Sequence, residues 1–247
     1  MDSMTFFAFP LNLILALIWL LAVCMSYKHA GGSRIVRFML SPAASIIAIA
    51  LLAAFCLVIG LSGNRNLTRS WPFVITMLFF MTVLAFVLVR GWKSGGKPRW
   101  RFILNHAGLL ISLSSAFWGA PDSETLRLQA FMDTPVREAY RMDGSRAWLP
   151  CEVELKDFDV RLSDDGTPSY FAAEVVADGK QVVLTVNHPH QLSFASDLYL
   201  TSYDPEDGRW CILQLVHEPW KYPALAGIIM MLAGAALLFI QGPRKSR

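Results

Sequence analysis

The chain has 247 residues, of which 54% are hydrophobic and only 17% charged, and its mean hydropathy is +0.42. This balance excludes an ordinary soluble domain of that size and predicts a membrane protein. The formal net charge of +3 conceals a segregation, because every acidic residue except Asp2 lies between Asp122 and Glu218. That window holds 18 acidic and 8 basic residues, whereas the rest of the chain holds 14 basic residues and one acid. The two parts are therefore expected to face different environments.

Five apolar runs are long enough to cross a bilayer core of roughly 30 Å as helices. Backbone groups inside lipid must be satisfied within their own segment, which favours helices over strands or loops. The predicted spans are residues 6–25, 38–61, 71–89, 102–119 and 222–240. They divide the chain into a four-helix region at 1–120, an inserted domain at 121–218, and a fifth helix with a basic tail at 219–247.

The basic residues between the spans predict the orientation. Eleven Lys and Arg lie on the side of the C-terminus, against three on the other side, namely Arg65, Arg69 and Lys221. By the positive-inside rule, the C-terminus is cytoplasmic, and the N-terminus and residues 121–218 are extracytoplasmic. The expected location is the cell inner (plasma) membrane.

The fourth span carries polar residues in an ordered pattern. Helical spacing collects small and weakly polar side chains on one stripe, which lets another membrane helix approach closely. The members of this stripe are Asn105, Gly108, Ser112, Ser115 and Gly119. The neighbouring stripe contains His106, Leu109, Leu110, Leu113 and Phe117. His106 is therefore expected beside a protein-facing seam, where it places a titratable ligand inside the membrane.

The acidic window indicates β-structure. Polar and apolar residues alternate over 152–155 and again over 158–162, with a change of phase at 156–157 that predicts a bulge. Turn signals at 164–166 and 178–179 flank a strand at 169–177. Further strands are predicted at 125–131, 181–187, 192–202 and 209–216. This spacing predicts an antiparallel sandwich or open barrel with its own core, and the fold class is a five-helix membrane bundle with an inserted β-sandwich-like domain.

The other candidate residues have ordinary structural explanations. His188 and His190 could form a metal pair, but no third ligand lies near them in sequence, so solvated turn histidines are expected. His29 in a loop and His217 at an interface are expected to be structural. For Cys151 and Cys211, a disulfide and two separate thiols remain alternatives.

Motifs for known catalytic chemistry are absent from the sequence. It contains no CxxC, CxxCH or GxSxG motif and no Gly-rich phosphate loop. No nucleic-acid partner is expected, and the protein is not expected to be catalytic alone.

Several segments together resemble the ResB-like family of cytochrome c biogenesis proteins of the System II pathway. They include a helix that opens with His-x-Gly-Leu, strand motifs in the acidic window and a Gly-rich last span. The matching segments are residues 105–109, 149–158, 168–175, 186–189, 199–204 and 216–220, with 7–12 similar to one branch of the family. Two departures occur in the late strand: Ala195 and Ser196 replace a usual Gly-aromatic pair, and Leu200 replaces Gln. Four spans before the domain is also not the commonest number in the family.

The resemblance implies a membrane subunit that helps carry haem across the membrane and present it for covalent attachment to apocytochrome c. It implies a CcsA- or ResC-like synthase as partner, haem b as a transient cofactor, and His106 as an axial ligand of haem iron. A second ligand would come from the partner. Two alternatives remain: His106 could hydrogen-bond a neighbouring helix, and the chain could be a membrane-anchored β-domain scaffold without a cofactor.

Overall fold

The computed structural model of the protein describes residues 7–93, 99–164, 168–204 and 209–241. The chain divides into two compact units, one of residues 1–121 and 220–247 and the other of residues 122–219. We call them the helical unit and the β unit. Their boundaries place both connections between the units at the ends of spanning helices.

The helical unit contains six α-helices within the described residues. They are α1 (Leu11–His29), α2 (Arg34–Met39), α3 (Pro42–Ser62), α4 (Trp71–Lys93), α5 (Trp100–Gly119) and α6 (Lys221–Gln241). All except α2 are long and apolar enough to cross a membrane. Each of the five predicted spans contains one of these helices, but the first begins at Leu11 and not at residue 6 as predicted. Residue 6 and the basic tail after residue 241 lie outside the described part of the chain.

The second span begins later than predicted because local capping chemistry divides the run. The Ser41 hydroxyl accepts a hydrogen bond from the Ala44 amide at 3.2 Å, and Pro42 occupies the first turn of α3, where its missing N–H costs nothing. Residues before Ser41 form the separate α2, whose own start is capped by Ser33. The prediction that residue 38 opens this span is wrong for that reason.

The β unit is a single eight-stranded antiparallel sheet. Its strands are β1 (Glu124–Phe131), β2 (Val136–Arg141), β3 (Arg146–Leu162), β4 (Pro168–Ala177), β5 (Lys180–Thr185), β6 (His190–Ser193), β7 (Ser196–Tyr203) and β8 (Trp210–His217). The order across the sheet is β5-β4-β3-β2-β1-β8-β7-β6. The antiparallel β prediction is confirmed, but a sandwich of two sheets is not, because all eight strands are joined by hydrogen bonds in one sheet.

The strands follow the chain order across the sheet, with β8 placed next to β1 and the sheet edges at β5 and β6. Each strand pairs with the next one along the chain except β5 with β6, which are the two edge strands, and β1 pairs with β8. An isolated bridge joins Thr185 of β5 to His188 in the turn that follows it. The inward-facing side chains form one apolar core, in which Leu155, Leu184 and Leu213 are fully buried. The β unit therefore buries its own core.

Most predicted strands are present, and the differences have local causes. The bulge predicted at 156–157 appears as a register shift between Leu155 and Asp157 against β4. Asp178 and Gly179 both adopt positive φ, as the predicted hairpin turn requires. The prediction of a single strand over 192–202 is wrong, because a turn at Phe194 and Ala195 divides this segment into β6 and β7. Part of the predicted turn at 164–166 lies outside the described residues.

Candidate functional site

The candidate site is built on α5, which uses two faces for packing. The face with small residues contacts α6: a Cβ added to Gly108 would lie 2.5 Å from the Gly227 carbonyl oxygen. The Ser112 hydroxyl donates to the Ala224 carbonyl of α6 at 3.2 Å, and Gly234 lies directly against Asn105. The predicted small-residue stripe is therefore confirmed as a helix–helix contact, in which missing side chains allow backbone approach.

The neighbouring stripe of α5 packs against other helices of the unit. Leu110 is buried in a cluster with Met77 and Met81 of α4, and Leu109, Leu113 and Phe117 pack against the same cluster. His106 belongs to this stripe by helical spacing and is half-buried. The leucine and phenylalanine members of this stripe face protein as predicted, whereas the contacts of the His106 imidazole are with Phe102 of its own helix.

A buried amide joins α1 to the far end of α5. Asn12 is only 1% exposed, and its Nδ2 donates to the Trp118 carbonyl oxygen at 2.8 Å. Trp19 on α1 donates from Nε1 to Thr82 Oγ1 on α4 at 3.0 Å. Both are long-range bonds that periodicity alone does not reveal, and they connect the helices that surround the leucine face of α5.

The imidazole of His106 is held by its own helix. Nδ1 lies 2.8 Å from the carbonyl oxygen of Phe102, one turn earlier. A carbonyl oxygen can only accept, so Nδ1 carries the hydrogen, and in a neutral imidazole with this bond the lone pair lies on Nε2. Among the residues that the structure describes, Nε2 has no hydrogen-bond partner. This is the form in which a histidine binds a metal, with the second nitrogen bonded to a carbonyl.

The other histidines lie on other elements of the chain. His188 lies in the turn after β5, and His190 is the first residue of β6. His29 is the exposed last residue of α1, not a loop residue as predicted. Within the described ranges, no group of three or more His, Cys, Asp or Glu side chains could hold a metal ion. The haem-ligand assignment of His106 stays a prediction.

One polar pair in the β unit was missed from sequence. Ser196 Oγ lies 2.8 Å from Nδ1 of His217, and Ser196 is 6% exposed. The two residues are directly opposite on β7 and β8. Ser196 departs from the family pattern, and this departure is the sequence feature that could have pointed to the pair. Leu200, which replaces the usual Gln, is a core residue that is 5% exposed.

The four cysteines are free thiols in the structure, so the disulfide alternative for Cys151 and Cys211 is not formed. Cys211 is fully buried on β8, and burial raises the pKa of its thiol to about 12, from 9.0. Cys151 is half-buried on β3. Of the two cysteines of the β unit, Cys151 is therefore the one placed to react with a polar reagent.

We expect a membrane-impermeant maleimide at pH 8 to modify Cys151 in the native protein and Cys211 only after denaturation. A thiol with a pKa of about 12 is protonated at pH 8, and the thiolate is the reacting form. Peptide mass spectrometry measures both sites, with Cys151→Ser as the control that removes the native label. Equal labelling rates at the two cysteines would contradict the burial of Cys211.

Comparison with protein-family models identifies the segment that contains α5 and most of the β unit. Residues 93–209 match the model of the ResB-like family. The chain carries a ResB-like segment. This segment includes His106, Cys151 and the strands from β1 to β7, so the resemblance drawn from scattered motifs is confirmed over this range.

No curated protein matches the chain. Among solved structures, the chain is similar to one described as "Cytochrome c Heme Lyase CcmF", with a TM-score of 0.40 and 14% identity. The alignment covers 80% of this chain and 34% of that one, so this chain spans about a third of its length.

Proposed function

We propose that this protein is a membrane subunit of cytochrome c assembly that binds haem through His106 and passes it outward for attachment to apocytochrome c. The observation that carries the proposal is the 2.8 Å bond from Nδ1 of His106 to the Phe102 carbonyl, which leaves Nε2 as the ligating atom. The ResB-like segment at 93–209 contains this helix and supports the same role. Haem, expected as haem b, is the cargo of this protein.

The position of His106 along its helix suits the start of such a transfer. His106 lies in the second turn of α5, after the basic residues Arg99 and Arg101. With the predicted orientation, this is the cytoplasmic end of the helix, where outgoing haem is first encountered. The imidazole would ligate iron, and the packed leucine stripe beside it would exclude water.

The β unit would act at the other side of the membrane. It holds 18 of the 19 acidic residues of the chain, and the predicted orientation makes it extracytoplasmic. Such a charge excess attracts basic surfaces over a range of about 10 Å at ordinary ionic strength. A basic apocytochrome c or a positive patch on the partner fits this field.

A partner is required to complete the iron coordination. The sequence has five histidines, and only His106 lies within the interior of a spanning helix. We therefore assign the second axial ligand to a CcsA- or ResC-like membrane protein. The chain is an accessory subunit in this proposal, with no catalytic residue of its own.

The test is the Soret absorbance of the purified complex of this chain with a CcsA-like partner. His106→Ala is expected to lower haem retention by at least about tenfold, since it removes a direct ligand. Added imidazole should restore part of the absorbance by occupying the vacated position. His217→Ala is the matched control, because it removes a histidine that is bonded to Ser196 in the β unit, and it should retain haem.

Two outcomes would overturn the proposal. One is a colourless wild-type complex that leaves cytochrome c maturation unaffected when the gene is deleted, which would favour the scaffold alternative. The other is His106→Ala with an unchanged Soret band. Maleimide labelling of Cys151 in intact cells tests the orientation separately, because the reagent reaches that thiol only if the β unit is extracytoplasmic.

A further inference from the structure

Phe102 touches the His106 imidazole through both its backbone and its side chain. Its carbonyl oxygen accepts the bond from Nδ1. Its ring lies against the imidazole with 4.0 Å between ring centroids and 30° between ring planes. One contact determines which nitrogen carries the hydrogen, and the other restricts rotation of the ring about its bond to Cβ.

Gly91 of α4 lies directly against the Phe102 ring. A Cβ built on Gly91 would overlap the ring of Phe102. Glycine inside a helix costs about 1 kcal/mol relative to alanine, so its use there needs a local reason. The reason visible in the structure is space for this ring, which contacts both Gly91 of α4 and the imidazole.

We infer that Phe102 is a positioning residue that presents Nε2 of His106 as the ligating nitrogen, with Gly91 as the space that lets Phe102 do so. A hydrogen bond to the nitrogen opposite the metal fixes the tautomer and increases the electron-donating power of the imidazole. The aromatic contact keeps the ring in the plane that makes this bond. The inference deepens the proposed function and rests on it wherever haem is concerned, but the tautomer is a property of the protein alone.

The first experiment needs no haem. In the full chain labelled with ¹⁵N-histidine, subtraction of the His106→Ala spectrum isolates one imidazole among five. The wild type should show a protonated Nδ1 and an unprotonated Nε2. Phe102→Ala should mix in the opposite tautomer, because the ring can then turn away from the carbonyl, and Phe102→Tyr should restore the wild-type pattern.

Gly91→Ala separates positioning from general stability. Alanine is the better helix former, so a purely structural role predicts an equal or higher unfolding temperature and an unchanged His106 spectrum. Our inference predicts that the unfolding temperature holds while the His106 nitrogen signals shift, since the added methyl displaces Phe102. Unchanged His106 signals in both Gly91→Ala and Phe102→Ala would overturn it.

The second experiment uses the haem-loaded complex with the CcsA-like partner. Phe102→Ala should lower haem retention by about tenfold and shift the Soret maximum, with recovery in Phe102→Tyr. Full retention in Phe102→Ala, together with loss in His106→Ala, overturns the positioning role and leaves the proposed function intact. Full retention in His106→Ala overturns the proposed function, and the nitrogen spectra still decide the tautomer.

Discussion

Replacing Gly108 by leucine is expected to separate α5 from α6 and to cost about 3 kcal/mol of stability, or the folded state altogether. A Cβ at this position would lie 2.5 Å from the Gly227 carbonyl oxygen and 2.9 Å from the Met231 amide nitrogen. Both are backbone atoms of the facing helix, so the clash cannot be relieved by a side-chain rotation. Membrane helices also lack a strong hydrophobic drive to reassociate, because lipid solvates them as well as protein does.

The matched control is Gly60→Leu on α3, where an added Cβ meets no atom within 4 Å. Both variants add the same side chain to a spanning helix, Gly108→Leu within α5 and Gly60→Leu near the end of α3. The added hydrophobicity is therefore the same in both. Thermal unfolding in detergent and the yield of monodisperse protein measure the difference. Equal stability of the two variants would refute the close approach of α5 and α6.

The second large effect is expected in the β unit. Leu213→Ala should lower the free energy of unfolding by about 2–5 kcal/mol, the usual range for a buried leucine. Leu213 on β8 is fully buried and lies opposite Leu128 of β1 and Leu200 of β7. The lost side chain leaves a cavity at the centre of the sheet, since backbone hydrogen bonds on both sides hold the strands in place.

Pulse proteolysis of the full chain in increasing urea reports this unfolding, because cleavage within 122–219 can be followed by fragment size. Val183→Ala is the control, because Val183 is 61% exposed on the edge strand β5. This change should alter the free energy of unfolding by no more than about 0.5 kcal/mol. If both variants unfold at the same urea concentration, Leu213 is not in a packed core.

Long, uniform patterns in the sequence were enough to predict the helices. Uncharged runs of about 20 residues are expected to be helical in lipid. A stripe of small residues such as Asn105, Gly108 and Ser112 indicates close contact with another helix. The boundaries required more local information: Ser41 and Pro42 start α3 in the middle of an apolar run. The partner of the stripe was also not predictable, because helical spacing shows a face without showing what covers it.

The β unit was predictable strand by strand and not as an assembly. Alternation and turn residues give local hairpins, as at Asp178 and Gly179. The pairing of β1 with β8 joins residues that are 79 positions apart at Phe131 and Trp210 and 93 apart at Glu124 and His217, and no local signal encodes it. Similarly, residue type predicted His106 as a candidate, but its tautomer depends on the bond to the Phe102 carbonyl.

The β1–β8 pairing brings the two ends of the β unit together, so the unit is an insertion that could be deleted as a whole. Glu124 and His217 are cross-strand partners, so the chain leaves the sheet beside the point where it entered. A short linker should therefore be able to replace residues 122–219 and reconnect α5 to α6 without straining their contact at Gly108 and Gly227. During synthesis, β1 cannot complete its pairing until β8 has been made, so the sheet closes only after nearly all of residues 122–219 have been synthesised.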